Sequence, residues 1–308
     1  MSELSVSVVS YRTRSLLEQC LEALAAERSS IDLEVTVVDN ASDDGSADMV
    51  ADRFPWVRVV RNRRNLGFGA AHNQALRQAR GRFWLVLNSD AAPVPGAVRR
   101  LVDFLERHPR VAVAGPRLRH PDGTLQSSRR RFPTVATLFL ESTQLQRFWP
   151  SNPVLRRYYV ADRSDDEPQD VDWLVGACLC VRAAAAAEVG LFDESFFMYS
   201  EELDWCRRFR AAGWRVAYVP AAEVMHLEGG SARLDLVARD RLFQSSKLRY
   251  AAKWHAPWVA RALRAYLLVE YAFRGVEESL KLAIGSRVAE RRARLRVIGS
   301  GLRATLRG

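Results

Sequence analysis

The sequence predicts an α/β fold: a Rossmann-like, mostly parallel central sheet flanked by helices, with a helical extension at its C-terminal end. Three observations predict it. Residues 83–91 read FWLVLNSDA, a bulky apolar run without alternation that stops at Asn88-Ser89-Asp90. Such a run suits a strand covered on both faces, as in the middle of a parallel sheet. Strand-like and helix-like stretches alternate on either side of it between residues 5 and 219. Beyond Gly229-Gly230 the pattern changes to long helical segments.

In chain order, residues 5–11 (SVSVVSY) read as a strand and 15–27 as an amphipathic helix with Leu16, Leu17, Cys20, Leu21 and Leu24 on one side. Residues 33–39 (LEVTVVD) make a second strand, 46–53 a short helix and 56–61 a third strand. A helix over 69–79 leads into the strand at Phe83, and 95–108 and 111–115 add one more helix and strand. Residues 119–170 lose the pattern: Pro121, Gly123, Pro133, Pro150, Pro153 and Pro168 stand among mixed polar residues, which predicts an irregular insertion. Residues 172–182 (DWLVGACLCVR) read as a buried strand, 183–189 and 201–212 as helices, and 214–219 as a closing strand. Between 258 and 284, Val259, Leu263, Tyr266, Leu267, Phe273, Val276, Leu280 and Ile284 recur every few residues, interspersed with Arg261, Arg264, Arg274 and Lys281. That is the pattern of a basic amphipathic helix.

Composition narrows the function classes. With 308 residues, 48% of them hydrophobic, the chain can bury a sizeable core as one large domain or two. No stretch approaches the roughly 18 apolar residues of a membrane span, and the N-terminus lacks the basic flank, apolar core and cleavage site of a signal peptide, so a cytoplasmic protein is expected. Cys20, Cys178, Cys180 and Cys206 have no zinc-ligand spacing and lie among apolar residues, so neither zinc nor disulfides are expected. The net charge of +10 is unevenly placed: residues 231–308 hold 17 Lys+Arg against 6 Asp+Glu, whereas residues 1–230 hold 29 against 30. A neutral body with a basic tail predicts an anionic surface partner, membrane or nucleic acid. Trp254, Trp258 and Tyr271 are of the type enriched at bilayer interfaces, and Arg291, Arg292, Arg294 and Arg296 extend the basicity. Packing on the body, or on another subunit, is the other use for such helices.

Ligands of open α/β sheets sit at the carboxyl ends of the strands. The first such loop, SYRTRS, has no G-x-G-x-x-G, and the chain has no G-x-x-x-x-G-K-[ST], which argues against dinucleotide oxidoreductases and P-loop enzymes. Gly67-Phe68-Gly69 precedes a helix without directly following a strand, a weak signal. Asp39 ends the second strand, where a carboxylate can accept from a ribose hydroxyl or a base N–H; Asp43, Asp44 and Ser46 suit the turn and the cap of the next helix. Asn88 and Asp90 offer hard oxygens to Mg²⁺ or Mn²⁺, or else form a turn and a helix N-cap before Pro93. Glu201, Glu202 and Asp204 gather three carboxylates near a helix start, which suggests a general base tuned by its neighbours. His226 is a metal ligand if the fold brings it to Asp90. Arg129-Arg130-Arg131 reads either as a holder of an anionic group or, more simply, as a solvated charge run.

Together the segments VVSYRTRSLLEQCLEAL, VVDNASDDGS, RNLGFGAAHNQAL, LVLNSD, GLFDESFFMYSEELDWCRRFRAAGW and, from His226, HLEGGS resemble the family 2 glycosyltransferases of GT-A fold. In appearance they are nearest to bacterial rhamnosyltransferase-like members that build cell-wall or O-antigen polysaccharide. The resemblance runs from about Val6 to Gly230, with the motifs in the family's order. It implies a glycosyltransferase domain over 1–230, with 119–170 as an acceptor-side insertion, and 231–308 as a basic helical region. It implies donor-binding residues Ser10, Tyr11, Asp39, Asn65, Gly67, Phe68, Asn73, Asn88, Ser89 and Asp90, with Asp39 on the nucleoside base. Asn88 stands where the family carries the first acid of its Asp-x-Asp step, so the resemblance assigns Mg²⁺ or Mn²⁺ to Asp90 and His226. Glu202 takes the place of the catalytic base, with Glu201 beside it and Asp204 as its substitute.

The reaction so implied is an inverting transfer from a nucleotide-sugar donor, such as dTDP-rhamnose, to a saccharide or lipid-diphosphate-linked acceptor. A peripheral position at the inner face of the plasma membrane fits the basic helices. A nucleotidyltransferase is the rival among enzymes. No nucleic-acid partner is expected, because the tail lacks a reader motif and the acidic cluster repels phosphates. An oligomer is compatible with the sequence.

Overall fold

The computed structural model describes residues 2–227, 236–285 and 287–307. Its chain separates into two units: Met1–Phe132 with Tyr159–Phe197 and Glu201–Ser231, and Pro133–Tyr158 with Met198–Ser200 and Ala232–Gly308.

The first unit contains strands β1 (Leu4–Ser10), β2 (Leu33–Asp39), β3 (Val57–Arg61), β4 (Phe83–Asn88), β5 (Ala91–Pro93), β6 (Val111–Arg119), β7 (Leu125–Gln126), β8 (Arg129–Arg130), β9 (Gln169–Val171), β10 (Trp173–Leu174), β11 (Cys178–Arg182) and β12 (Arg215–His226). The main path of its sheet runs β3-β2-β1-β4-β11-β6-β12-β5, with β7 on β6, β9 on β12, and β8 and β10 paired apart from it. The first four strands of this path are parallel, as predicted, and so are β6 and β12. β11 enters antiparallel between β4 and β6, and β5 antiparallel to β12, so the sheet is mixed rather than uniformly parallel. Helices α1 (Arg14–Glu27), α2 (Ser46–Arg53), α3 (Phe68–Leu76) and α4 (Ala97–Arg107) follow successive strands. The core joins Val6 and Val8 of β1 and Leu85 and Leu87 of β4 to Leu17, Leu21 and Leu24 of α1 and Leu101 and Leu105 of α4. Each such side chain contributes roughly 1.5–3 kcal/mol when fully buried. The unbroken apolar run of β4 follows from its position: Phe83, Trp84, Leu85, Val86 and Leu87 are all buried.

Three boundaries differ from expectation. Residues 172–182 are two strands in different sheets: β10 pairs with β8, and after 175–177 the chain joins the main sheet as β11. The closing strand continues beyond Val219 to His226 through an irregularity between Val219 and Glu223. Asp90 caps no helix: the chain goes straight into β5, and α4 starts only after Gly96. All four cysteines are buried thiols.

In the second unit, α5 (Val135–Leu140), α6 (Gln144–Phe148) and α7 (Pro153–Tyr158) join the long helices α10 (Leu236–Trp254), α11 (Pro257–Ala283) and α12 (Val288–Arg307), whereas α8 (Ala183–Val189) and α9 (Glu201–Ala211) belong to the first. Part of the expected 119–170 insertion is therefore ordered helix grouped with the C-terminal helices, and the expected division at 230 is not a single cut. The cause is packing: the Phe139 ring lies 5.2 Å from that of Tyr266, and Lys247 Nζ donates to the Glu141 carbonyl at 2.5 Å. α11 buries Val259, Leu263, Leu267 and Tyr271, yet leaves Val269, Phe273, Val276, Leu280 and Ile284 exposed. α12 approaches α11 at Gly301, where a Cβ would stand 2.4 Å from Cζ of Tyr271. Among the described residues no helix is long and apolar enough to cross a membrane.

Candidate active site

The ends of β1, β2 and β4 lie side by side because these strands are in parallel register, Ser10 against Asp39 and Val9 against Asn88. Both following loops contain a non-glycine residue at positive φ, Arg12 at 56° and Ala41 at 68°. Such backbone concentrates at ligand sites. Asp39 is buried; its Oδ2 accepts from Ser42 N, and its Oδ1 has no hydrogen-bond partner. Burial raises this carboxyl above its usual range, and the bonds from Ser42 pull it part of the way back. A buried acceptor without a donor is costly unless a ligand supplies one, which suits a base or ribose contact.

Asn40, which the sequence reading passes over, organises the next loop. Its Nδ2 donates to Asn65 Oδ1 at 2.8 Å and to the Gly67 carbonyl, while its Oδ1 accepts from Leu66 N and Asn62 Nδ2. Gly67 has φ +88°, and a Cβ there would lie 2.3 Å from the Phe197 carbonyl oxygen, the same oxygen that accepts from Phe68 N. This close approach brings the Asn65–Phe68 loop against the segment that leads to α9. Gly67→Ala is expected to lower unfolding free energy by about 1–3 kcal/mol and to displace that loop. Denaturant melts check the first effect, and a weakened affinity for nucleoside diphosphate the second.

Other expected donor residues have their side chains engaged within the protein. The hydroxyls of Ser10, Thr13 and Ser89 hydrogen-bond in series at 3.0 and 2.9 Å, all three buried. Asn73 donates to the Phe192 carbonyl and to Glu194 and accepts from Phe192 N. These four side chains hold the loops together, as does Asn65, whose Oδ1 accepts from Asn40 Nδ2 and Gly67 N, while Asp39 Oδ1 has no partner and Tyr11 and Phe68 are half-buried.

Asp90 and His226 meet because β5 pairs antiparallel with the far end of β12, His226 opposite Ala91, with Leu227 N donating to the Asp90 carbonyl. Nε2 of His226 lies 3.3 Å from Asp90 Oδ1 and 3.3 Å from Asn88 Nδ2. On its other side His226 Nδ1 lies 2.8 Å from Oε1 of Gln126, an atom that only accepts. Nδ1 donates to Gln126 Oε1, which turns Nε2 toward Asp90 and Asn88. An imidazole held this way by an outer acceptor is the usual arrangement of a metal-ligating histidine. Asn88 Oδ1 is buried with no hydrogen-bond partner. A carboxylate, an imidazole nitrogen and an amide oxygen together fit a divalent cation that keeps room for phosphate oxygens. No cluster of three or more His, Cys, Asp and Glu occurs among the described residues, so these two ligands and the amide are the extent of the fit.

The carboxylates of α9 divide by role. Asp204 is fully buried and accepts from Arg208 Nε at 3.0 Å, which makes it a structural ion pair in place of the substitute base that the sequence suggests. Glu201 is buried and Glu202 half-buried, each with an Oε2 that has no hydrogen-bond partner. Burial holds Glu201 well above the ordinary carboxylate range, and the charge of Glu202 adds to this. Burial also raises Glu202, against the N–H groups of Gly176 and Leu203 and the charge of Arg130, which favour its ionised form. Residues 175–177, which connect β10 to β11, link the two halves of the site. Ala177 accepts from Asn88 N at 2.9 Å, and a Cβ on Gly176 would lie 3.5 Å from the Glu202 side chain. A base candidate and the candidate metal turn thus flank one peptide segment.

The Arg129-Arg130-Arg131 cluster is not a solvated run. Arg129 is buried on Asp165 and the Ser164 carbonyl, and Arg131 forms a two-bond pair with Asp162 at 2.8 Å. Arg130 stacks over Tyr159 and Trp173, with its charge felt at Glu202.

The sequence profile described as "Glycosyl transferase family 2" matches residues 5–163. An N-acetylglucosaminyl-diphospho-decaprenol L-rhamnosyltransferase of Mycobacterium tuberculosis is 35% identical over 306 residues, covering 92% of this chain and 98% of that one. The chain is a family 2 glycosyltransferase. The Escherichia coli rhamnosyltransferase WbbL is 36% identical over a shorter stretch, 27% of this enzyme and 31% of its own length. A mannosyltransferase of Pyrobaculum calidifontis, solved with GDP-mannose and Mn²⁺, superposes with a TM-score of 0.56 at 19% identity, covering 99% of this chain and 86% of that one, and so shares the GT-A fold. The structure also brings to the candidate site residues that sequence reasoning missed, Asn40, Thr13, Gln126 and Gly176, and sets Arg130, read from sequence only as part of a basic cluster, near Glu202. Asn40 had a signal, an Asx residue at a strand end. Gln126 had none, since it lies 100 residues from the histidine it orients.

Proposed function

We propose that this glycosyltransferase is an inverting, metal-dependent rhamnosyltransferase that acts from dTDP-rhamnose on N-acetylglucosamine linked through a diphosphate to a lipid. The observation that carries this reading is the 35% identity, over nearly the full length of both chains, to the relative named for that acceptor and sugar. In the reaction Asp39 receives the donor's base and the Asn65–Phe68 loop closes over the nucleotide. Asp90 and His226, with Asn88, hold Mg²⁺ or Mn²⁺, which supplies positive charge for the departing diphosphate. Glu202 accepts the proton of the acceptor hydroxyl as its oxygen attacks the face opposite the leaving group, which inverts the anomeric centre in one displacement. Burial keeps the Glu202 proton affinity high, and Arg130 limits that rise. The basic helices hold the enzyme at the anionic inner face of the membrane, where such acceptors reside.

The test is transfer from a panel of sugar nucleotides with Mn²⁺ to a short-chain polyprenyl-diphosphate N-acetylglucosamine. Rhamnosylated lipid with release of dTDP is the expected product. Equal or better use of another sugar would remove the donor assignment, and pyrophosphate release would indicate nucleotidyl transfer instead. Flotation of the full chain with phosphatidylglycerol vesicles, but not with phosphatidylcholine vesicles, is expected from the membrane reading.

A further inference from the structure

A cavity of about 620 Å³ lies wholly within the second unit, between α10, α11 and α12. Its cations are Arg241 and Arg249 of α10 and Arg261 and Arg264 of α11, and no acidic residue lines it among the described residues. Its apolar part includes Leu248, Leu268 and Tyr271, and α12 contributes only small residues, at Gly301, Ala304 and Thr305. Gly301 admits the Tyr271 ring, so α11 and α12 approach closely at this side of the cavity.

Among the described residues the charge here is uncompensated for a specific reason. Each described carboxylate of the three long helices is committed elsewhere. Asp240 accepts from the Tyr271 hydroxyl at 2.6 Å, and Glu270 lies 3.7 Å from Arg274. Glu277 pairs with Lys281, Glu278 with Arg291, and Glu290 with Arg294. None of the four cavity arginines has an ion-pair partner among the described residues. Like charges gathered over an apolar floor repel one another unless an anion joins them. The guanidinium fork matches phosphate oxygens in particular.

We propose that this cavity is a binding site for the phosphate headgroup of an anionic phospholipid, with the glycerol and first acyl carbons on Leu248, Leu268 and Tyr271. A free anion would gain nothing from that floor. A lipid is also favoured by the adjacent side of α11, where Trp258, Val269, Phe273, Val276, Leu280 and Ile284 form a stripe of exposed apolar side chains, 53–81% accessible. Single exposed apolar residues are ordinary, but a contiguous stripe beside a cationic recess is the arrangement of an interfacial helix. The inference rests on the membrane reading above and gives it a location; it requires nothing of the sugar-transfer assignment.

The full-length enzyme is tested in two ways. Water-soluble dihexanoyl phosphatidylglycerol is expected to raise the melting temperature of the wild type, with dihexanoyl phosphatidylcholine and inorganic phosphate producing no shift. A shift as large with inorganic phosphate would overturn the lipid assignment. In flotation with phosphatidylglycerol vesicles, the triple variant R249Q/R261Q/R264Q is expected to lose affinity at least about tenfold. R292Q/R296Q/R303Q, which removes equal charge from exposed positions of α12, should lose less than about threefold. Equal losses would overturn the site while leaving the membrane reading intact. Failure of the wild type to float would overturn the membrane reading, and the short-chain lipid melts would then decide the cavity alone.

Discussion

Glu202→Gln is expected to lower the turnover of sugar transfer by about 10²–10⁴-fold, the usual worth of a positioned general base, with little change in donor affinity. The amide keeps an oxygen to accept from the Gly176 and Leu203 N–H groups but cannot take a proton. A pH profile separates this from a loss of structure. Burial raises the Glu202 carboxyl, so wild-type activity should climb with pH through a limb above the ordinary carboxylate range, and the variant should lose that limb. Stability moves in the opposite sense. A raised folded-state pKa means that protonation favours the folded chain, so this contribution is full below the unfolded carboxylate pKa and is lost as pH rises through the folded value. Removing the charge should therefore leave the melting temperature at pH 8 unchanged or higher. Transfer within threefold of wild type, in a folded variant, would remove Glu202 from the role of base.

Asp90→Ala is the second large effect. Removing the carboxylate that faces His226 Nε2 at 3.3 Å leaves an imidazole and an amide as the remaining ligands. A drop of at least about 10²-fold in kcat/KM is expected. Calorimetry provides an independent measure: Mn²⁺ should strengthen dTDP binding to the wild type and not to Asp90→Ala. His226→Ala should show an intermediate loss, and Asn88→Asp, which supplies a second carboxylate, should tighten the metal. Undiminished Mn²⁺-linked binding by Asp90→Ala would place the metal elsewhere.

Residues whose roles depend on local chemistry were legible before any fold was known. The strand ends at Asp39 and Asp90, the acidic start of α9 and the amphipathic period of α11 all lie within a few residues of the features that reveal them. Where the roles depend on distant partners, local reading erred. Ser10, Ser89 and Asn73 looked like donor ligands because they occupy the right segments, but partners up to 121 residues away occupy their polar atoms. Asp204 looked like a spare base until Arg208 claimed it, and the arginine cluster looked solvated until Asp162 and Asp165 folded back on it.

By itself, then, the sequence determined the α/β class, the parallel half of the sheet, the family and the segments that form the candidate site, because apolar periodicity and strand-end chemistry are written in consecutive residues. Only the tertiary structure decided the antiparallel entry of β11, the pairing of β5 with β12 that sets His226 on Asp90, and the peptide at Gly176 that joins Glu202 to the Asn88 turn. It alone decided the arginine recess among α10, α11 and α12. Strand order and helix packing are set by which surfaces bury together across the whole chain, and no window of sequence contains both partners of such a contact.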